Sequence, residues 1–149
     1  MQLRETWTRL PRWARWVLVV YIVGFADGTG DHVRWMLHGG IRAYASAYPQ
    51  LPIQVLFVGL VVLDPLAAVL AGLARREAVW LACAIMVADM IANWTGNWAR
   101  ITSPHGRLLD TVPWLITIFG LFVFATAAPM TRVLRHDTAA GPVSPAETA

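Results

Sequence analysis

The chain has 149 residues, of which 57% are apolar and 14% charged, and its mean hydropathy is +0.52. A water-soluble domain is about 45 to 50% apolar and about a quarter charged, so the balance excludes an ordinary soluble enzyme and points to lipid as the solvent. The net charge of +3, carried by twelve arginines and no lysine, is too small and dispersed for a phosphate-binding stripe, which excludes a nucleic-acid partner.

A basic leader with Arg4, Arg9, Arg12 and Arg15 opens the chain. It leads into an apolar run from Trp13 to Ala26 that then meets Asp27, Gly28, Asp31 and His32. Read as a span of about 13–33, this segment has a polar outer third. The spacing 27, 31, 34, 38 puts Asp27, Asp31, Arg34 and His38 on one helical face, so the helix is expected to run past the membrane to a stop at Gly39-Gly40. The rival reading is a cleaved signal peptide with an apolar core from Trp16 to Ala26 and small residues Gly24 and Ala26 at the cleavage site. The long leader with its three tryptophans argues against it.

Three further stretches, about 54–74, 78–98 and 111–129, reach the roughly 20 residues that cross a hydrocarbon core. The first two are joined by the short Arg75-Arg76-Glu77 turn and should form an antiparallel hairpin. After the last span the segment HDTAAGPVSPAETA loses periodicity. The expected organisation is a single membrane domain over 1–130 and a disordered cytoplasmic tail over 131–149. Cys83 lies alone in an apolar run, which excludes an intrachain disulfide.

The fold class expected is therefore all-α, a polytopic membrane protein with a bundle of four transmembrane helices. Arginine counts set its orientation. Arg4, Arg9, Arg12, Arg15, Arg75, Arg76, Arg132 and Arg135 collect on one side, against Arg34, Arg42, Arg100 and Arg107 on the other, so both termini should be cytoplasmic. Tryptophans fall near both boundaries of this arrangement, where indole rings prefer to sit.

The candidate site residues are the polar groups inside the spans. Asp64 is near the centre of the second span, and Pro65 beside it frees the carbonyl of Val61. In the third span Asp89, Asn93, Asn97 and Arg100 share one helical face, with the small residues Ala88, Ala92 and Gly96 alongside. Acids at such depth face a bundle interior, because lipid exposure costs a few kcal/mol each. With Asp27 they define an expected ligand-binding set of Asp27, Asp64, Asp89, Asn93 and Asn97, in a pocket open to the outer face and closed below by apolar packing. The bland counterpart is a structural role, in which these groups hydrogen-bond between helices.

The histidines His32, His38, His105 and His136 all fall outside the deep part of the spans, with no HExxH and no Cys-His cluster. No metal and no cofactor is expected. A site of Asp31, His32 and His105 is the best metal alternative and a weak one.

The order of these features resembles the EXPERA group of small membrane proteins, which includes sterol isomerases and amphiphile-binding proteins with cytoplasmic termini. The resemblance is carried by Asp27 late in the first span, the long connection to the second, Asp64-Pro65, the polar third span and Pro113 in the fourth. It covers about Trp13 to Pro129 as architecture. The isomerases carry histidine and glutamates in their spans, whereas spans two to four here have neither, so no catalytic role is carried over. The chain is also similar to four-span proteins of bacteria, which implies the bacterial cytoplasmic membrane as its location.

Two function classes follow. One is a binding or catalytic pocket for a lipid-like or amphiphilic molecule, whose cation or proton meets an aspartate. The other is a non-catalytic membrane subunit or scaffold whose buried Asp and Asn fix helix packing. The expected partners are membrane lipid and an amphiphilic small molecule, and the sequence leaves a homo-oligomer open.

Overall fold

The computed structural model describes residues 2–103 and 112–139. Among them the chain forms five helices: α1 (Gln2–Arg9), α2 (Arg12–Ala45), α3 (Leu51–Gly72), α4 (Arg76–Ile101) and α5 (Val112–Ala139). Three segments are long and apolar enough to cross a membrane, Leu51–Gly72, Arg76–Ile101 and Pro113–Leu134, which marks the chain as a membrane protein. The fourth long helix, α2, has the length but carries the polar outer third anticipated from the sequence.

Local chemistry sets the boundaries. Pro11 is extended (φ −60°, ψ 151°) and separates α1 from α2. Gly40, at φ 76° and ψ 165°, interrupts α2 near the expected stop, in a region of backbone space open essentially to glycine. Pro52 opens α3 in the first turn, where its missing N–H is no loss. At the α3–α4 turn Ala74 takes a positive φ of 52°, and the Arg75 amide bonds the Leu70 carbonyl at 3.0 Å, closing the helix end.

The first helix was not anticipated, and the end of the last one requires correction. The leader is helical over Gln2–Arg9 and packs on the bundle, where the Trp7 Nε1 donates to the Gly72 carbonyl at 2.8 Å. The last helix does not stop at Pro129 but continues to Ala139, so the expected loss of structure from residue 131 does not hold over 131–139. Pro129 lacks a donor, yet the helix runs on through it. Thr131 Oγ1 donates to the carbonyls of Ala127 and Ala128 at 3.0 and 2.9 Å, tying the chain beyond the proline to the turn before it. The rest of the expected tail lies outside the described residues.

Helix α2 packs on α3, α3 on α4 and α4 on α5, and a lighter contact of α5 on α2 closes the ring. Fully buried alanines (Ala14, Ala71, Ala78, Ala82) bring the backbones close, the usual basis of helix association where lipid removes the hydrophobic drive. The α2–α5 contact is fastened by Tyr21, whose hydroxyl lies 3.1 Å from the Val123 carbonyl and 2.9 Å from Thr126 Oγ1. Beside it Phe119 lies over Gly24, in space that a Cβ would fill. The outer surface is apolar: Val23, Leu37, Val62, Ile91 and Leu115 are all exposed, while Asp64, Asn93 and Asn97 are buried. That distribution reverses a soluble protein and suits acyl chains outside and polar chemistry within.

Candidate functional site

Asp64 is 4% exposed and sits midway along α3. Its carboxyl group lies against α2 at Gly28, where a Cβ would fall 2.8 Å from Asp64 Oδ2. Glycine at that position lets the carboxyl group pack onto the helix backbone. One turn further along α2, His32 Nε2 stands 3.5 Å from the same Oδ2. The other imidazole nitrogen, Nδ1, meets the Tyr44 hydroxyl, and that hydroxyl lies 3.4 Å from the Phe57 carbonyl. Burial, with the nearby Tyr48, Asp89 and Asp64, raises the Tyr44 hydroxyl above the usual tyrosine range, so it stays an O–H donor.

A histidine whose two nitrogens face a carboxyl group and a hydroxyl is oriented at both ends. If Tyr44 gives its hydrogen to the Phe57 carbonyl, Nδ1–H donates to Tyr44. Nε2 then faces the Asp64 carboxyl group across 3.5 Å. The unit Tyr44, His32 and Asp64 joins three segments of the chain: the turn beyond Gly40, the body of α2, and α3.

The second acid is on α4. Asn93 Nδ2 donates to Asp89 Oδ1 at 2.8 Å and to the Asp89 carbonyl at 3.1 Å. Asn97 Nδ2 donates to the Asn93 carbonyl at 2.8 Å. The i, i+4 spacing thus forms a polar ladder along one face, with both amide groups turned back on their own helix.

These two walls enclose a cavity of about 550 Å³. Asp27, Asp64, Asp89, Asn93 and Asn97 all line it, together with His32, Tyr44, Tyr48 and Arg100. Asp31 also borders it, and most of the remaining lining is apolar, including Phe25, Phe57, Ile85, Met86, Leu115, Ile116 and Phe119. Asp27 is exposed at the rim, unlike the other four. Beyond the cavity, toward α1, the ring is filled by Leu18, Tyr21, Ala71 and Ala82, all buried. On α4 and α5, Trp94 Nε1 donates to Thr117 Oγ1 at 2.9 Å, and Thr117 donates to the Pro113 carbonyl at 2.7 Å.

The charged stripe of α2 borders the cavity only in part. Asp31 and Arg34 pair with each other at 3.0 Å and both are exposed. His38 is exposed and its Nδ1 bonds the Arg34 carbonyl at 2.7 Å. On α2 the cavity meets Gly24, Gly28 and His32, at i, i+4 and i+8, and beside them Asp27 and Asp31. His32 was placed by sequence at the outer end, remote from the deep acids, and it is in fact the partner of Asp64. Of the metal alternative Asp31, His32 and His105, the first two both border the cavity. His105 lies outside the described residues, as does Arg107. Among the described residues no group of three metal-ligating side chains occurs.

Comparison with protein-family models, with curated proteins and with solved structures finds no match to this chain.

Proposed function

We propose that the protein is a four-span integral membrane protein, α2 to α5, with both termini cytoplasmic, in a bacterial cytoplasmic membrane, and that its cavity opens to the outer face and binds a lipid-like or amphiphilic small molecule. The observation that carries this reading is the two-sided wall of the 550 Å³ cavity. Acids and amides on α3 and α4 face an aromatic and aliphatic surface from α2, α4 and α5. Sites for small organic ligands have volumes of about 300 to 1,000 Å³, mostly apolar walls and a few polar groups that fix orientation. An amphiphile matches both walls at once, its polar head at Asp64 and Asp89 and its apolar body against Ile85, Ile116 and Phe119.

The fourth span is supported by length. From Arg12 to Gly39 the helix is about 42 Å at 1.5 Å per residue, longer than a hydrocarbon core of about 30 Å. The polar third then stands at the outer boundary, beside Arg100 and the aromatic residues of the α2–α3 connection. The arginine asymmetry adds the direction.

The competing reading is a scaffold whose polar residues hold the helices together, and the His32–Asp64 contact between α2 and α3 is the observation in its favour. Mass spectrometry of extracts from the purified protein separates the two. Wild-type protein should carry a defined amphiphile that is depleted in Asp64→Leu and Asp89→Leu variants. Bulk lipid of one composition in all three proteins would overturn the ligand reading and leave the scaffold.

A further inference from the structure

The connection between α2 and α3 is held to the body of the protein in an uneven way. Ile41, Arg42, Ala43, Ser46 and Ala47 are exposed, and the segment begins at Gly40, where no neighbour lies within 4 Å of an added Cβ. Two tyrosines supply its inward contacts. Tyr44 reaches His32. Tyr48 stacks on Phe57, with ring centroids 4.9 Å apart, and crosses to α4, where its ring occupies the space above Gly96. An added Cβ there would stand 2.7 Å from the ring. The Tyr48 carbonyl also accepts a bond from Gln54 Nε2 at 2.6 Å. Tyr44, Ala47 and Tyr48 all line the cavity, at the end where Asn97 and Arg100 stand on α4.

We propose that residues 41–50 form a lid over the mouth of the cavity, hinged at Gly40 and latched by Tyr44 on His32 and by Tyr48 on Gly96. The segment spans from the α2–α3 pair to α4, so it covers the opening between them. Its backbone is tied to its own short turn, with the Ser46 amide bonding the Arg42 carbonyl at 2.9 Å and the Ala47 amide the Tyr44 carbonyl at 3.3 Å. It therefore moves as a unit when the two rings let go. The Tyr44 latch ends on the histidine that pairs with Asp64, so a cation arriving at Asp64 competes for the group that holds the lid. Lids of this kind exclude water and admit ligand by rotation about a few glycine-like positions.

The inference rests on reading the cavity as a ligand pocket, but its test needs no ligand. In full-length protein with Cys83→Ser and Ile116→Cys, the new thiol lines the cavity, and its rate of reaction with a small water-soluble methanethiosulfonate reports access. Tyr48→Ala and, separately, Gly96→Ala should each speed labelling roughly tenfold, because removing a latch raises the open population. Gly96→Ala lies outside the lid and decides the matter if Tyr48→Ala does not fold. Native Cys83, assayed with Ile116 intact, should change less than about twofold, since local opening leaves the rest of the ring closed. Equal rates with and without the latches would overturn the lid, as would parallel acceleration at Cys83, which signals general loosening. Absence of a copurified amphiphile would instead remove the ligand and leave the access rates standing.

Discussion

His32 and Asp64 face each other from two helices, and removing either leaves the other without its partner. The pair should show energetic coupling. A thermodynamic cycle of His32→Ala, Asp64→Asn and the double variant, read by unfolding in detergent, should give an interaction term of about 0.5 to 3 kcal/mol, as for other contacting pairs. Additive single effects would mean that the 3.5 Å contact contributes nothing to stability. Gly28→Ala tests the same contact from the opposite side. Its Cβ would displace the Asp64 carboxyl group, so it should lower the melting temperature without removing a polar atom.

The acids themselves were legible in the sequence because a polar residue inside an apolar run stands out, and Asp89, Asn93 and Asn97 repeat with the helical period. His32 was not legible as their partner. Its role depends on the register between α2 and α3, which brings Gly28 level with Asp64. Periodicity on α2 selected the stripe of charges 27, 31, 34 and 38, which shares Asp27 and Asp31 with the cavity lining but misses the adjoining stripe 24, 28 and 32. The signal that carried the answer was the pair of glycines, since small residues four apart mark where a neighbouring element approaches closely.

At the scale of elements, the break in α2 governs where the connection goes. Gly40→Ala would place a side chain at φ 76° and ψ 165°, a conformation that costs a non-glycine residue about 1 to 3 kcal/mol. There is open space around the position, so the whole effect is backbone strain. The expected outcome is a lower melting temperature, and an unchanged one would show that the turn relaxes to another conformation at no cost. Gly39-Gly40 was readable as a stop because glycine ends helices. The short helical turn beyond it, with its two inward tyrosines, had no periodic signal to announce it. The same applies to α1, whose place depends on Trp7 meeting Gly72.

For the whole molecule, the decisive measurement is topology. A reporter active only in the cytoplasm should work after Arg135 and within the Arg75-Arg76 turn, and should fail near Ser46. Activity near Ser46 would invert or remove the first span. An intact mass lacking residues 1–26 would do the same. It would also take away Ala14, Leu18, Tyr21 and Phe25, which form much of the buried surface of α2. The overall class was accessible from composition, since the chain is more apolar and less charged than a typical soluble domain. The ring order was accessible in part from the short α3–α4 turn. The closing contact of α5 on α2 was not, because it joins residues about a hundred positions apart and leaves no local trace.

That closing contact also has a temporal meaning. Tyr21 is separated from Val123 and Thr126 by 102 and 105 residues, so it finds its partners after α3 and α4 have been made. Chain synthesis delivers α2 and α3 as one hairpin and then α4 and α5 as another, each stabilised by neighbours close in sequence. The α5 wall of the cavity, Leu115, Ile116 and Phe119, is therefore the last part of the site to be made.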